Sequence, residues 1–158
     1  MDKSTVYILV GAIASGKTTF AKKKAKEGMI IINDDSIVNM LHCNNYKLYS
    51  EYLKPLYKSI ENIALQMAIA LGRDVIIDRP NYSKGMRRRY IAIAKSLDAK
   101  VAFVIFPKRT NEVHAERRVA SDGRGFLYED WLEVAKRHDE LFEQVSLDEG
   151  ADEIIYLD

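Results

Sequence analysis

The chain has 158 residues, 47% of them hydrophobic and 30% charged, the balance of an ordinary globular domain long enough to bury a core. Its formal net charge of +1 excludes a globally cationic surface, so any affinity for nucleic acid or membrane has to come from local clusters. The single cysteine, Cys43, excludes an intramolecular disulfide and a multi-cysteine zinc site.

The segment Met1-Asp2-Lys3-Ser4-Thr5 runs straight into an apolar strand, without the cationic and then long apolar design of a signal peptide. No apolar run approaches membrane-spanning length, and the expectation is a cytoplasmic protein with no membrane association. Val6 to Val10 is a continuous β-rich run, as expected for a buried parallel strand. A glycine-bracketed loop follows, then a helix from about Lys17 to Lys26. Met29 to Ile32 reads as a second strand, ending at Asn33-Asp34-Asp35, and Ser36 is placed to cap a short helix through about Leu41. Helical spacing of apolar residues then runs from about Leu48 to Leu71, with Gly72 as a stop. Val75 to Ile77 is a third strand ending at Asp78, and Ser83 opens a helix to about Leu97. A fourth strand spans Val101 to Phe106, and a helix from about Asn111 to Ala120 leads into Ser121-Asp122-Gly123-Arg124-Gly125. A helix from about Tyr128 to Val145 and a last strand from Glu153 to Leu157 complete the chain. Strands alternating with helices predict one α/β domain over residues 1–158, a five-stranded parallel sheet covered on both faces.

The strongest motif is Gly11-Ala12-Ile13-Ala14-Ser15-Gly16-Lys17-Thr18, a full GxxxxGK[ST] phosphate loop with a strand before it and a helix after it. Gly11 and Gly16 allow backbone angles that a side chain would block, so successive N–H groups can turn inward on phosphate oxygens. The helix that begins at Lys17 aims the positive end of its dipole at the same phosphates. Lys17 would reach the β- and γ-phosphates of ATP, the Thr18 hydroxyl would ligate magnesium, and Thr19 completes the nucleotide-binding run.

Ligands of open parallel sheets sit beyond the carboxyl ends of the strands, where this chain places Asp34-Asp35 and Asp78. A phosphoryl transfer needs a carboxylate beside the acceptor hydroxyl, which suits Asp34 or Asp35, and an acid near magnesium, which Asp78 resembles. Arg117, Arg118 and Arg124 surround the glycine-bearing stretch between two helices, and a lid over about residues 117–128 would bring arginine to the phosphates. Arg79, Lys84, Arg87, Arg88 and Arg89 form the densest basic cluster; a phosphate-bearing substrate would meet Arg79 or Arg87 first, and a solvated helix face explains the cluster equally well. Tyr46, Tyr49, Tyr52 and Tyr57 crowd one segment, where they could stack bases of a single strand or pack one side of a helix. His42, His114 and His138 are too scattered for a metal site, and Trp131 reads as a packing residue after the lid.

In this order the phosphate loop, Asn33-Asp34-Asp35, the strand ending at Asp78 with Asn81, and then Arg118 and Arg124 resemble the kinase domain of phage-type polynucleotide 5′-kinases over nearly the whole chain. The resemblance implies an NMP-kinase-like P-loop core with ATP and magnesium as donor. By it, Asp34 faces the acceptor hydroxyl, Arg118 lies near the adenine, Arg124 is the lid arginine on the ATP phosphates, and Asp78 and Asn81 shape the acceptor side; Asp35, beside Asp34, is a further candidate there on its position alone. Two features depart from that family. Ser36-Ile37-Val38 lacks the arginine that usually follows the aspartate pair, and Asn33 stands where an arginine is common before it. The acceptor implied is a hydroxyl of DNA or RNA, most simply a 5′-end. The alternatives are a hydroxymethylated pyrimidine in DNA, a small molecule such as a nucleoside, nucleotide or sugar, and a nucleotide-binding switch without turnover.

Overall fold

The computed structural model describes residues 2–158. Five strands, β1 (Thr5–Val10), β2 (Ile30–Ile32), β3 (Val75–Ile77), β4 (Lys100–Ile105) and β5 (Glu153–Tyr156), form one sheet in the order β2-β3-β1-β4-β5. Every pairing is parallel, as the alternation of strands and helices predicts. The central strand β1 aligns Ile8 with Ile77 on one side and with Phe103 on the other. These three side chains are fully buried, which explains why β1, β3 and β4 read as apolar runs rather than as alternating ones.

Six helices connect the strands: α1 (Lys17–Lys26), α2 (Asp34–Leu41), α3 (Lys54–Ala70), α4 (Lys84–Ser96), α5 (Asn111–Ser121) and α6 (Tyr128–Glu140). The β1-to-β2 connection runs toward one edge of the sheet, whereas β2-to-β3 and β3-to-β4 run back the other way. Right-handed crossovers therefore put α1 on one face and α3 and α4 on the other. The two cores follow this division. Leu65, Ala68 and Ile69 of α3 and Tyr90, Ile91 and Ala94 of α4 pack on Val6, Ile8, Ile32, Val75, Ile77 and Phe103. Ala21 and Phe20 of α1 pack opposite them on Leu9, Ile76, Val104 and Phe106.

Three predicted boundaries shift, each for a local reason. Asn33, not Ser36, caps α2: its side-chain oxygen accepts from the Ser36 N–H at 2.9 Å, so Asp34 and Asp35 fall in the first turn, where the helix dipole favours anions. The helix expected from Leu48 starts only at Lys54, after two short 3₁₀ turns over Tyr46–Leu48 and Glu51–Leu53. Pro55 dictates this, because in a helix interior it would remove a hydrogen bond and clash with the preceding turn, while in the first turn it is harmless. The helix expected to reach Val145 stops at Glu140, and the chain turns so that the Glu143 N–H donates to the Tyr82 carbonyl at 2.8 Å.

Arg87 is the residue that fixes this turn. Its side chain is fully buried and donates from Nε and Nη2 to the two Glu149 carboxylate oxygens at 2.8 and 2.9 Å. Nη1 donates to the Asn81 carbonyl at 2.9 Å and Nη2 also to the Glu143 carbonyl at 3.0 Å. The expectation that Arg87 meets substrate is thereby corrected: the guanidinium is consumed in tying α4 to the segment before β5. We predict that Arg87→Ala lowers stability by about 3 kcal/mol in urea unfolding, since it strands a buried carboxylate and two carbonyls. Glu149→Gln should cost less, and the double variant should fall well short of the sum, whereas additive losses would contradict the pairing.

Candidate active site at the carboxyl end of the sheet

The loop between β1 and α1 supplies the first wall. A Cβ on Gly11 would lie 2.7 Å from Ser15 Oγ and 2.9 Å from Phe106 Cβ, so only glycine permits the loop to close on itself. Gly16 adopts φ 102°, the left-handed conformation that turns the chain into α1. Ile13 points away from the loop into a small core with Ala115, Trp131 and Ala135, which anchors the loop on α5 and α6. The Gly11 N–H donates to the Pro80 carbonyl at 3.1 Å, fastening the loop to the segment after β3.

Lys17 is buried, and its ammonium donates to the Gly11 carbonyl at 2.8 Å, to the Ala12 carbonyl, and to Ser15 Oγ at 3.3 Å. Burial pulls its pKa down to about 8 despite the opposing pull of Asp78, and Arg118 adds a smaller push in the same direction. Thr18 Oγ1 donates to Asp78 Oδ2 at 3.2 Å. Asn33 Nδ2 reaches the same carboxylate oxygen at 3.3 Å and the Asp78 carbonyl at 2.9 Å. Asp78 is 4% exposed, and burial raises its pKa against the favourable charge of Lys17.

The helix that Asn33 caps presents its two acids to different partners. Asp34 Oδ2 lies 3.1 Å from Arg79 Nε, and Arg79 Nη1 donates to the Tyr90 hydroxyl at 3.0 Å and sits 3.7 Å from Glu61. Glu61, 2% exposed on α3, also accepts from Arg89 at 2.5 Å and from the Tyr90 hydroxyl at 3.1 Å. Asp34 is pushed up to about 6, first by burial, with Asp35 and Glu61 adding to the rise and Arg79 opposing it. Asp35 faces the lid instead, with Arg124 Nη1 at 3.5 Å and Arg118 Nη2 at 3.9 Å. Arg124 Nε donates to Asp122 at 2.8 Å, and both guanidiniums lie over Trp131, Arg118 at 4.9 Å and Arg124 at 5.3 Å from the ring centre.

One cleft therefore gathers the loop from Gly11 to Thr18 with Asp34, Asp35, Asp78, Arg79, Arg118 and Arg124. Thr19 is exposed on α1 with no side-chain partner among the described residues, and Arg87 lies outside the cleft. Asn81 is buried and turned inward: Nδ2 donates to the Leu9 carbonyl at 2.7 Å and to the Arg79 carbonyl at 3.1 Å, so it shapes the wall from behind. Sequence reasoning missed Glu61 and Asn33 as members of this cleft. The Asn33-to-Ser36 spacing was a readable cap signal, whereas nothing local marks Glu61, one acid on an otherwise amphipathic helix.

The Thr18 hydroxyl and the Asp78 carboxylate are hard oxygen donors side by side at the phosphate loop, a donor set that fits magnesium. Among the described residues no three His, Cys, Asp or Glu side chains cluster as a metal site. Among the described residues, too, no helix is long and apolar enough to cross a membrane.

A parallel sheet with a phosphate loop after its central strand, acids at the neighbouring strand ends and an arginine-bearing helical hairpin above them is a P-loop kinase fold. The chain belongs to the AAA_33 family of AAA domains, whose profile matches residues 6–142. Its fold is similar to one in the Pnkp1/Rnl/Hen1 RNA repair complex, with a TM-score of 0.71 and 20% identity over 90% of this chain and 47% of that one. It is similar to a fungal RNA kinase, with a TM-score of 0.67 and 16% identity over 100% of this chain and 39% of that one. It also matches the Mycobacterium tuberculosis APS kinase CysC, with a TM-score of 0.62 and 14% identity over 100% of this chain and 91% of that one. The chain thus spans less than half the length of the first two, and identities this low show a shared fold alone. No curated protein sequence matches the chain.

The environments of the two titrating groups predict a signature of their own. Carbon-detected NMR should find the Asp34 carboxyl titrating near 6 and the Lys17 ammonium near 8. Arg79→Met removes the charge that favours the ionised carboxylate and should move Asp34 upward. An Asp34 that titrates in the ordinary carboxylate range, or that ignores Arg79→Met, would contradict the geometry.

Proposed function

We propose that the chain is an ATP- and magnesium-dependent kinase that moves the γ-phosphoryl group to a hydroxyl of DNA or RNA, most simply a 5′-hydroxyl end. The observation that carries this reading is the placement of Asp34: a carboxylate in the cleft that holds Lys17, fixed 3.1 Å from Arg79 Nε with one side buried and the other still accessible to an acceptor. A nucleotide switch has no use for such a group, whereas a hydroxyl acceptor needs one.

Each residue then has a task. The backbone from Gly11 to Thr18 cradles the ATP phosphates, and Lys17 exchanges its own loop carbonyls for the β- and γ-phosphate oxygens. Arg124 joins it on the charge that spreads over the transferring group, and Arg118, over Trp131, lies toward the adenine. Thr18 and Asp78 hold magnesium, which when bound neutralises charge along the phosphate chain. Asp34 orients the acceptor hydroxyl; its oxygen bonds to the γ-phosphorus as the bond to the β-phosphate oxygen breaks, ADP leaves, and the hydroxyl proton passes to Asp34. Arg79 holds Asp34 in place, and Asp35 gathers the lid.

A small acceptor (a free nucleoside, nucleotide or sugar) is the second reading, and a specific observation favours it. Of the basic cluster after β3, Arg79, Arg87 and Arg89 are spent on Asp34, Glu149 and Glu61, leaving Lys84 and Arg88 exposed for a polyanion.

Incubation with γ-labelled ATP, magnesium and a panel of acceptors, followed by nuclease digestion, separates these readings. The panel comprises 5′-hydroxyl oligonucleotides, DNA with hydroxymethylated pyrimidines, nucleosides and sugars. Label on a 5′-terminal nucleotide is expected. Label on an internal modified base or only on a small molecule moves the acceptor, and no label on any acceptor overturns the kinase reading. Asp34→Asn should lower kcat by about 10²- to 10⁴-fold with the melting temperature retained. Lys17→Ala should lower it by at least about 10²-fold. In the native chain kcat/KM should fall as pH drops through about 6, as Asp34 takes a proton, and as pH rises past about 8, as Lys17 loses one.

A further inference from the structure

Tyr46 opens the 3₁₀ turn between α2 and α3 and is half-buried, packed at the edge of the small core of Ile37, Val38 and Tyr57 with its ring under Arg124 of the cleft. Asp35, the neighbour of Asp34, lies near its hydroxyl, and burial together with that carboxylate's charge holds the phenol protonated. Tyr49 lies parallel to it, 6.0 Å between ring centres and 10° between planes, and the buried Tyr57 stacks on Tyr49 in turn at 5.5 Å. The ring is therefore held rigidly in one orientation beside the candidate base. Over it, 4.5 Å from the ring centre, sits the Arg124 guanidinium, which also faces Trp131 at 5.3 Å. A planar cation between two aromatic side chains occupies a slot of the shape and chemistry that a nucleobase takes.

The hold on this guanidinium from the acceptor side is loose. Arg124 and Arg118 approach Asp35 at only 3.5 and 3.9 Å, longer than good charge-assisted hydrogen bonds. Arg118 is also near enough to Lys17 to depress its pKa, so the field of the two arginines reaches the phosphate loop. A triphosphate there offers several anionic oxygens, and it competes with a single carboxylate for the same guanidiniums.

We propose that Tyr46 is the stacking platform for the nucleobase of the acceptor, and that Arg124 covers it until a phosphoanion at the phosphate loop draws the guanidinium off Asp35. This deepens the kinase reading and rests on it. A base on Tyr46 places its own sugar toward Asp34, so the ligand class is a nucleobase with a hydroxyl one sugar away, whether a free nucleoside or the end of a strand. Donor and acceptor then bind cooperatively, and the gain is reciprocal: the donor tightens the base by the factor by which the base tightens the donor.

The chain reports this directly, because Trp131 is its one tryptophan and both arginines lie over it. Tryptophan fluorescence and calorimetry would follow thymidine, the 5′-hydroxyl dinucleotide TpT, and its analogue with a tetrahydrofuran in place of the 5′ nucleoside. Each is titrated with and without a magnesium complex of the non-hydrolysable analogue AMPPNP. Base-bearing ligands should bind about tenfold tighter with AMPPNP, and the base-free analogue should show no gain. A gain with thymidine identifies a free nucleoside as sufficient; a gain with TpT alone identifies the strand end, and both support the platform. Tyr46→Leu should abolish the gain and Tyr46→Phe should keep it. Arg124→Ala should bind the base without AMPPNP as tightly as the native chain does with it, and this arm stands even if Tyr46→Leu fails to fold. An undiminished gain in Tyr46→Leu, or an Arg124→Ala chain that still needs AMPPNP, overturns the proposal. If 5′-hydroxyl oligonucleotides are labelled while Tyr46→Leu behaves as native, this inference alone fails. If no base-bearing acceptor is labelled at all, the reading beneath it fails.

Discussion

The buried carboxylate of Asp78 joins the two halves of the cleft. It sits one residue past β3, between the strand that carries the phosphate loop and the strand that carries the acid pair. It accepts from Thr18 on the first side and from Asn33 on the second. The Asn33 bond does two things at once, because the same side chain caps α2 and thereby sets the direction in which Asp34 and Asp35 leave the sheet. At 4% exposure an unpaired carboxylate would be costly, so the position is tolerable only with both donors and the Lys17 charge nearby. Sheet register fixes the rest: Ile32 pairs with Ile77, so β2 and β3 end level, while β1 runs two residues past its Ile8–Ile77 pairing to Val10.

From that hub the charges divide cleanly. Asp34 belongs to an interior network with Arg79, Glu61, Arg89 and Tyr90, anchored on α3 and α4. Asp35 belongs to the lid, with Arg118, Arg124 and, through them, Asp122. Adjacent residues on one helix turn thus have different neighbours and different chemistry. The first is desolvated and held by a rigid shell, which raises its affinity for a proton. The second is engaged by a glycine-bearing hairpin, in which Gly125 adopts φ 82°, so its partners can be exchanged without disturbing the sheet.

What the sequence made legible was local. The phosphate loop is readable because eight consecutive residues carry all of its chemistry, and the apolar runs of β1, β3 and β4 announce strands buried on both faces. The acids at the strand ends are readable because the fold class says where ligands sit. The buried pairs were not legible. Arg87 and Glu149 lie 62 residues apart, and a run of three arginines on an amphipathic helix looks the same whether one of them points into solvent or into a carboxylate. Glu61 was hidden for the same reason, since its partners Arg79, Arg89 and Tyr90 lie on other elements and leave no local trace beside it. Pro55 was a readable signal that the helical periodicity from Leu48 outweighed; its missing N–H decides the start of α3.

If Asp34 serves an acceptor hydroxyl while the γ-phosphoryl group leaves ATP, ADP release depends on that hydroxyl. ADP release should be followed in the presence of one DNA oligonucleotide in two forms, identical except that the first ends in a 5′-hydroxyl and the second in a 5′-phosphate. ADP release should be stimulated by the hydroxyl form and stay at background with the phosphate form. Equal release with both, or release that ignores nucleic acid altogether, would contradict that dependence.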